Sequence, residues 1–438
     1  MPLDRRSFLV RAGAVAAAGV VSRSSPALTH PATGAPDWKA VRAEFDLAPG
    51  WIHLATFFLV SHPRPVREAI EGYRRRLDAD PLFVDEAMFE PEHENLPLRV
   101  KGALARYLGG RPEEIALTSN TTTGLALVYN GLRVRPGQEI LTTEHDHYSH
   151  HTSIALAAEK NGTTVRRVAL HDGAARASEA EIVDRLREAI GPKTRALGVT
   201  WVHSSTGLRL PIRAIAEVVK TANARRDEDD RCLLVVDGVH GFGAVDEAAA
   251  ALGADFFVAG THKWIFGPRG TGLIWGRPDA WPHVRPTIPT FEADAPFAAW
   301  AESRPLPPRT EAAWVSPGGF FAYEHFWALE AAIGFHERLG RPAVAGRIRE
   351  LNGRFRSELG AMRHVRLHTP ASDALAAGIV CFEVDGLKPQ EVVARLREKR
   401  IRATTSPYAV TYARVSAGIM IQPEEVERTI GEIRALSA

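Results

Sequence analysis

Six short apolar runs punctuate the middle of the chain: EIALTS, EILTTE, TVRRVAL, ALGVTWV, CLLVVD and DFFVAG. Each is rich in Val, Ile, Leu or Thr and gives way to polar or glycine-bearing residues, the pattern of short buried strands. Between them lie stretches such as EIVDRLREAI and IRAIAEVVKTANARR, whose apolar positions recur with a helical period. Strands joined through helices predict a mostly parallel sheet covered on both faces, an α/β layer structure. Beyond Pro305 the order changes. A long apolar stretch, FFAYEHFWALEAAIGFHERLG, leads to RIRELNGRFRSELG, the strand-like GIVCFEV, the helical QEVVARLREKR, and the closing YARVSAGIM and PEEVERTIGEIRAL. The pattern therefore divides the chain into a large domain over 37–308, whose N-terminal segment is free to pack on its neighbour, and a smaller α+β domain over 309–438.

The first residues follow a different rule. Arg5 and Arg6 precede Ser7, Phe8 and Leu9, an Ala/Gly/Val run extends from Ala12 to Val21, and small residues surround Ala27. This resembles a twin-arginine export signal over 1–27, followed by a linker over 28–36. The apolar run falls short of the ~20 residues that cross a bilayer, so no stable membrane anchor is expected. The twin-arginine route carries folded proteins, which suits an enzyme loaded with its cofactor before export to the periplasm or beyond. A net charge of +2 over 438 residues, without a lysine or arginine block, gives no case for nucleic acid and points to a small-molecule partner. Cys232 and Cys381 are the only cysteines and both sit in apolar runs, which argues against a disulfide framework.

In a parallel sheet ligands gather where strands end, so the residues after each run carry the candidate chemistry. Asp237 closes CLLVVD, where an unpaired carboxylate would cost several kcal/mol in desolvation and calls for a cation. Lys263 follows the next run, so both side chains can reach the same edge of the sheet. A buried amine gives up its proton readily and forms a Schiff base with an aldehyde. An acid opposite a pyridinium and a lysine for an aldehyde are the pair that pyridoxal phosphate requires. Its phosphate needs a cradle, and TSNTTTGLALVYNGL offers one in the hydroxyl residues and free N–H groups of a helix start. The same residues would also serve as a plain helix cap.

The motifs SNTTTG, HDH, HSSTG, DGVHGFG and THKW, in that order, resemble the class V aminotransferase superfamily, fold type I of the pyridoxal-phosphate enzymes. The branch is that of the isopenicillin N epimerase-like proteins, related to cysteine desulfurases. The resemblance runs from DWKAVRAEFDLAPGWIHL to PEEVERTI. It implies that Lys263 holds the cofactor's aldehyde and moves the α-proton, that Asp237 pairs with the ring nitrogen, and that His147 stacks on the ring. It further implies phosphate contacts from Thr121, Thr122 and His262, and contacts to the ring's phenolic oxygen from His240 and His203. Arg414 matches the arginine that clamps a substrate carboxylate. A homodimer is also implied.

Two departures put the substrate in doubt. Where relatives carry Gly-Thr before the long helix, this chain has SPGGFF at 316–321, and a substrate-side segment reads LATFFLVSH, where Phe57 and Phe58 can wall a more apolar site. The expected activity is chemistry at the α-carbon of an amino acid or an amino-acid-containing metabolite, in the manner of an aminotransferase. Epimerisation, β-elimination and oxidative decarboxylation, as in the tailoring of a secreted metabolite, share its first step. A mobile-loop cysteine for a desulfurase is lacking. Two other classes remain open from the residues alone: a metal-dependent hydrolase built on the histidines of EHDHYSHH, 144–151, and a binding protein that has lost turnover. Against the metal, His150 and His151 are adjacent and cannot share a helix face.

Overall fold

The computed structural model describes residues 35–89 and 95–436. The expected signal over 1–27 and all but the end of the linker over 28–36 lie outside them. A short strand, β1 (Ile52–His53), precedes the main sheet, which takes β2 (Ile115–Thr118), β3 (Glu139–Thr143), β4 (Thr164–Val168), β5 (Thr194–Thr200), β6 (Leu233–Asp237), β7 (Phe256–Gly260) and β8 (Gly272–Gly276). Their spatial order is β2-β8-β7-β6-β5-β3-β4. Only β8 runs antiparallel to its neighbours; the other pairs are parallel.

Every residue of β5, β6 and β7 is buried, as strands covered on both faces require. Alternation along β6 assigns the two faces. Leu233 and Val235 join Leu125 and Val128 of the helix Thr121–Gly131 in one core, while Leu234 and Val236 join Ile215 and Val219 of the helix Ile212–Asn223 in another. Each such side chain contributes about 1.5–3 kcal/mol by leaving water.

A third core lies over a four-stranded antiparallel sheet in the order β12-β13-β10-β9, made of β9 (Val365–Leu367), β10 (Val380–Val384), β12 (Thr404–Thr405) and β13 (Ala413–Val415). Val41, Phe45, Ile52, Leu54 and Phe57 pack into it beside Val380, Phe382 and Val415. The strand β1 completes that attachment by pairing in parallel with β11 (Ile401–Arg402). The N-terminal segment therefore sits with the C-terminal sheet. Conversely, the helix Tyr323–Leu339, beyond the expected boundary at 308/309, buries Phe326, Trp327, Leu329 and Ile333 in the core of the large sheet. No helix among the described residues is long and apolar enough to cross a membrane.

Candidate active site

Three adjacent strands deliver the central groups. Asp237 is the last residue of β6, opposite Thr200 at the end of β5, and Lys263 follows the end of β7 at Gly260. Asp237 is 3% exposed and its Oδ1 accepts from the Val239 N–H at 3.1 Å. Burial pushes its carboxyl pKa up, against the pull of His150, that N–H and Lys263. For Lys263, burial brings the ammonium down to about 8, with Asp237 resisting and Arg414 assisting. Its Nζ lies 3.3 Å from His240 Nε2. His240 is buried, and its Nδ1 has no hydrogen-bond partner.

The cradle is built by the start of the helix Thr121–Gly131. Asn120 caps it by accepting from the Thr123 N–H at 2.9 Å, which satisfies one of the donors at the helix start. Thr121 is buried and its Oγ1 accepts from the Gly260 N–H at 2.7 Å, tying the helix start to the end of β7. Thr122 is exposed at the same end. A Cβ on Gly260 would stand 3.1 Å from the His262 ring and 3.2 Å from Thr121 Oγ1, so a side chain there would press on both. Burial, then Lys263 and Arg269, bring His262 down to about 4.

The four histidines of EHDHYSHH have four separate tasks. His145 Nε2 accepts from the Leu170 N–H at 3.1 Å, and its ring stacks on His171 at 4.1 Å. His147 caps the helix Tyr148–Asn161, accepting from the Ser149 N–H, and is half-buried, with Lys263 and Arg414 adding to the effect of burial in lowering its pKa. His150 Nε2 meets the Tyr129 hydroxyl at 2.7 Å, and His151 Nε2 donates to the Thr143 carbonyl at 2.7 Å. Among the described residues no group of His, Cys, Asp and Glu is placed to hold a metal ion. His203 lies by the His145 ring, at 5.7 Å, with both ring nitrogens buried and unpartnered, and burial brings it down to about 4.

Arg414, on β13, is 4% exposed. It donates to the Ser204 carbonyl at 2.7 Å, the Thr405 carbonyl at 2.9 Å and Thr404 Oγ1 at 3.3 Å, and its guanidinium stands 4.4 Å above the Phe57 ring. The adjacent Phe58 is 67% exposed, so the two phenylalanines occupy different environments. Two further residues complete this side. The Tyr408 hydroxyl meets Ser204 Oγ at 2.7 Å, and its ring sets its edge against His147 at 5.9 Å. Ser204 lies within the HSSTG motif, but Tyr408 occupies a loop without periodicity and carries no sequence signal.

These residues fit pyridoxal phosphate. A buried carboxylate, an amine with a lowered pKa, a buried imidazole nitrogen without a partner, and a helix start with a threonine hydroxyl all converge on the strand ends. When bound, the cofactor supplies an aldehyde for an amine and a cationic ring that draws electrons from an α-carbon. Asp237 is placed to hold a cation, Lys263 to bind an aldehyde and carry a proton, and Arg414 to hold a carboxylate.

The chain belongs to the aminotransferase class-V family, whose model matches residues 99–428, and its cofactor is pyridoxal phosphate. Among the particular proteins it resembles is the isopenicillin N epimerase of Streptomyces clavuligerus, 28% identical over 412 residues, which are 92% of this chain and 98% of the relative. That of Amycolatopsis lactamdurans is 28% identical over 362 residues, 79% of this chain and 84% of the relative. A probable cysteine desulfurase of Pyrococcus abyssi is 24% identical over 389 residues, covering 85% of this chain and 91% of that one. The fold matches a C-DES mutant with glycine covalently linked to its PLP cofactor, at a TM-score of 0.78 and 23% identity, over 90% of this chain and 99% of the other.

Proposed function

We propose that this enzyme acts on the α-carbon of an amino acid or an amino-acid-containing metabolite. Lys263 takes the α-proton, Asp237 holds the ring nitrogen, and His147 covers the ring. Thr121, Thr122 and His262 bind the phosphate, His240 and His203 serve the phenolic oxygen, and Arg414 receives the substrate carboxylate above Phe57. The observation that carries this reading is the Lys263 amine, brought down to about 8 and set 3.3 Å from His240 beside the strand that ends in Asp237. An amine that is partly unprotonated near neutral pH is a competent base.

Aminotransferase-like turnover is the first form of this reading. Epimerisation is the second, supported by the likeness to isopenicillin N epimerases over 98% of one relative's length. Desulfurase chemistry through a cysteine nucleophile is disfavoured, since burial pushes Cys232 and Cys381 each up to about 12. The RR pair at 5–6 supports export through the twin-arginine route to the periplasm or medium, and the family resemblance supports a homodimer.

The test is to incubate the loaded enzyme with a panel of amino acids in heavy water and follow the α-proton by NMR, alongside keto-acid formation and optical inversion. Exchange that vanishes in Lys263→Ala supports the reading. Exchange that persists in that variant rules out Lys263 as the base.

A further inference from the structure

The helix Tyr323–Leu339 carries His336, which is fully buried. Its Nε2 lies 2.7 Å from the carbonyl oxygen of Trp264, the residue after Lys263, and its Nδ1 lies 3.1 Å from the Tyr107 hydroxyl. A carbonyl can only accept, so Nε2 bears the hydrogen, and Nδ1 accepts from the Tyr107 O–H. One neutral tautomer satisfies both bonds. Burial brings His336 down to about 4, which keeps that tautomer in place at neutral pH. The ring also stacks on Phe266 at 5.6 Å, and Tyr107 meets it edge-on at 5.5 Å.

The segment so gripped is the turn that presents Lys263. The Lys263 carbonyl accepts from the Phe266 N–H at 3.0 Å, closing the turn over Trp264 and Ile265. Phe266 has a φ of 58°, a left-handed conformation that a bulky residue adopts only when its surroundings hold it there. On another side, a Cβ on Gly243 would come within 2.9 Å of the Trp264 carbonyl carbon, so the Asp237–Gly243 loop is pressed against the same peptide. The reacting amine leaves from the first corner of this turn, and a displacement of ~1 Å at a reacting group costs about 10²-fold in rate.

We infer that His336 is a positioning residue for the Lys263 amine, acting through its bond to the Trp264 carbonyl and itself set by the Tyr107 hydroxyl. The inference rests on the reading of Lys263 as the reacting amine. The titratable and charged groups that face Lys263 are Asp237, Arg414, His240, His147 and His262, and Arg341 is the charge beside His336.

The full chain is compared with His336→Ala, His336→Gln and Tyr107→Phe, each loaded with pyridoxal phosphate and also stripped of it. In the stripped protein, acetylation of Lys263 by acetic anhydride is followed against pH by mass spectrometry. In the loaded protein, the pH midpoint of the Lys263-dependent visible absorbance is recorded, with the thermal midpoint as a measure of stability. His336→Ala is expected to raise the acetylation midpoint towards that of an ordinary lysine by about 0.5 pH units or more, roughly threefold in the protonation equilibrium. It is also expected to displace the visible midpoint. His336→Gln, which keeps an N–H for the Trp264 carbonyl, should recover most of both shifts, and Tyr107→Phe should show a smaller shift in the same direction.

A lower thermal midpoint with both pH midpoints unmoved would overturn the inference and leave His336 a structural residue. Should His336→Ala fail to fold, Tyr107→Phe carries the test, and an unmoved acetylation midpoint in that variant overturns it equally. If the wild type shows no absorbance with the cofactor yet the variants shift the acetylation midpoint as described, the proposed function fails and the placement of the Lys263 amine by His336 stands.

Discussion

Arg414 illustrates how single residues build this site. Its guanidinium gives up water for two backbone carbonyls and one threonine hydroxyl, all neutral, and burial lowers its pKa as a result. The charge is oriented but not neutralised, which is the state that receives a carboxylate well. Losing one partner of a buried charge pair costs ~2–5 kcal/mol. Arg414→Ala is therefore expected to raise KM for the amino-acid substrate by about 10²-fold, with the Lys263-dependent absorbance unchanged. Steady-state kinetics and a spectrum check both halves, and a loss of the absorbance instead would place Arg414 with the cofactor. At this scale the motifs drew attention to Asp237, His240, Lys263 and Thr121, which end or follow strands of the large sheet, and the resemblance drew it to Arg414, which reaches the Ser204 carbonyl from β13. They gave no sign of Tyr408 or His336, because a loop tyrosine and a buried helix histidine look like ordinary residues until the fold sets their partners beside them.

Among the elements, most of the apolar runs in the middle of the chain were readable because strand formation and burial there depend on local pattern, whereas TVRRVAL, which contains β4, lies at the sheet edge with Thr164 and Arg167 exposed. CLLVVD contains β6, and DFFVAG contains β7. The antiparallel β8, GLIWG, was not distinguished, since a short run between two glycines has no period to measure. Long-range attachments were the least legible. The pairing of Ile52–His53 with Ile401–Arg402 joins residues from opposite ends of the chain, and nothing local encodes it. The helix Tyr323–Leu339 was expected in the smaller lobe, yet it sends Leu329 and Ile333 into the large core and Phe335 into the other. A helix buried on most sides carries no polar stripe to show which neighbour it serves.

Over the whole molecule, the buried neutral histidines couple stability to pH. His203 and His336 are each brought down to about 4 by burial, against a reference value of 6.5. Above pH 6.5 both folded and unfolded chains hold these rings neutral, and nothing is lost. As pH falls below 6.5 the unfolded chain takes up protons that the fold refuses, so stability declines, and the decline levels off below pH 4. Each ring accounts for roughly 3 kcal/mol at that limit. Asp237, raised by burial, works in the opposite direction over part of this range. The urea midpoint of the cofactor-free protein is expected to fall between pH 6.5 and 4, and His203→Asn to flatten the fall. A midpoint constant over that range would show that these rings are not held neutral.

The measurement closest to the central claim is the chemical identity of the lysine that takes the cofactor. The protein is saturated with pyridoxal phosphate, reduced with borohydride, digested and mapped by mass spectrometry. A visible band that disappears on reduction, with a single pyridoxyl adduct on Lys263 that is missing in Lys263→Ala, is the predicted result. An adduct on a different lysine, or no band at saturating cofactor, would contradict the account.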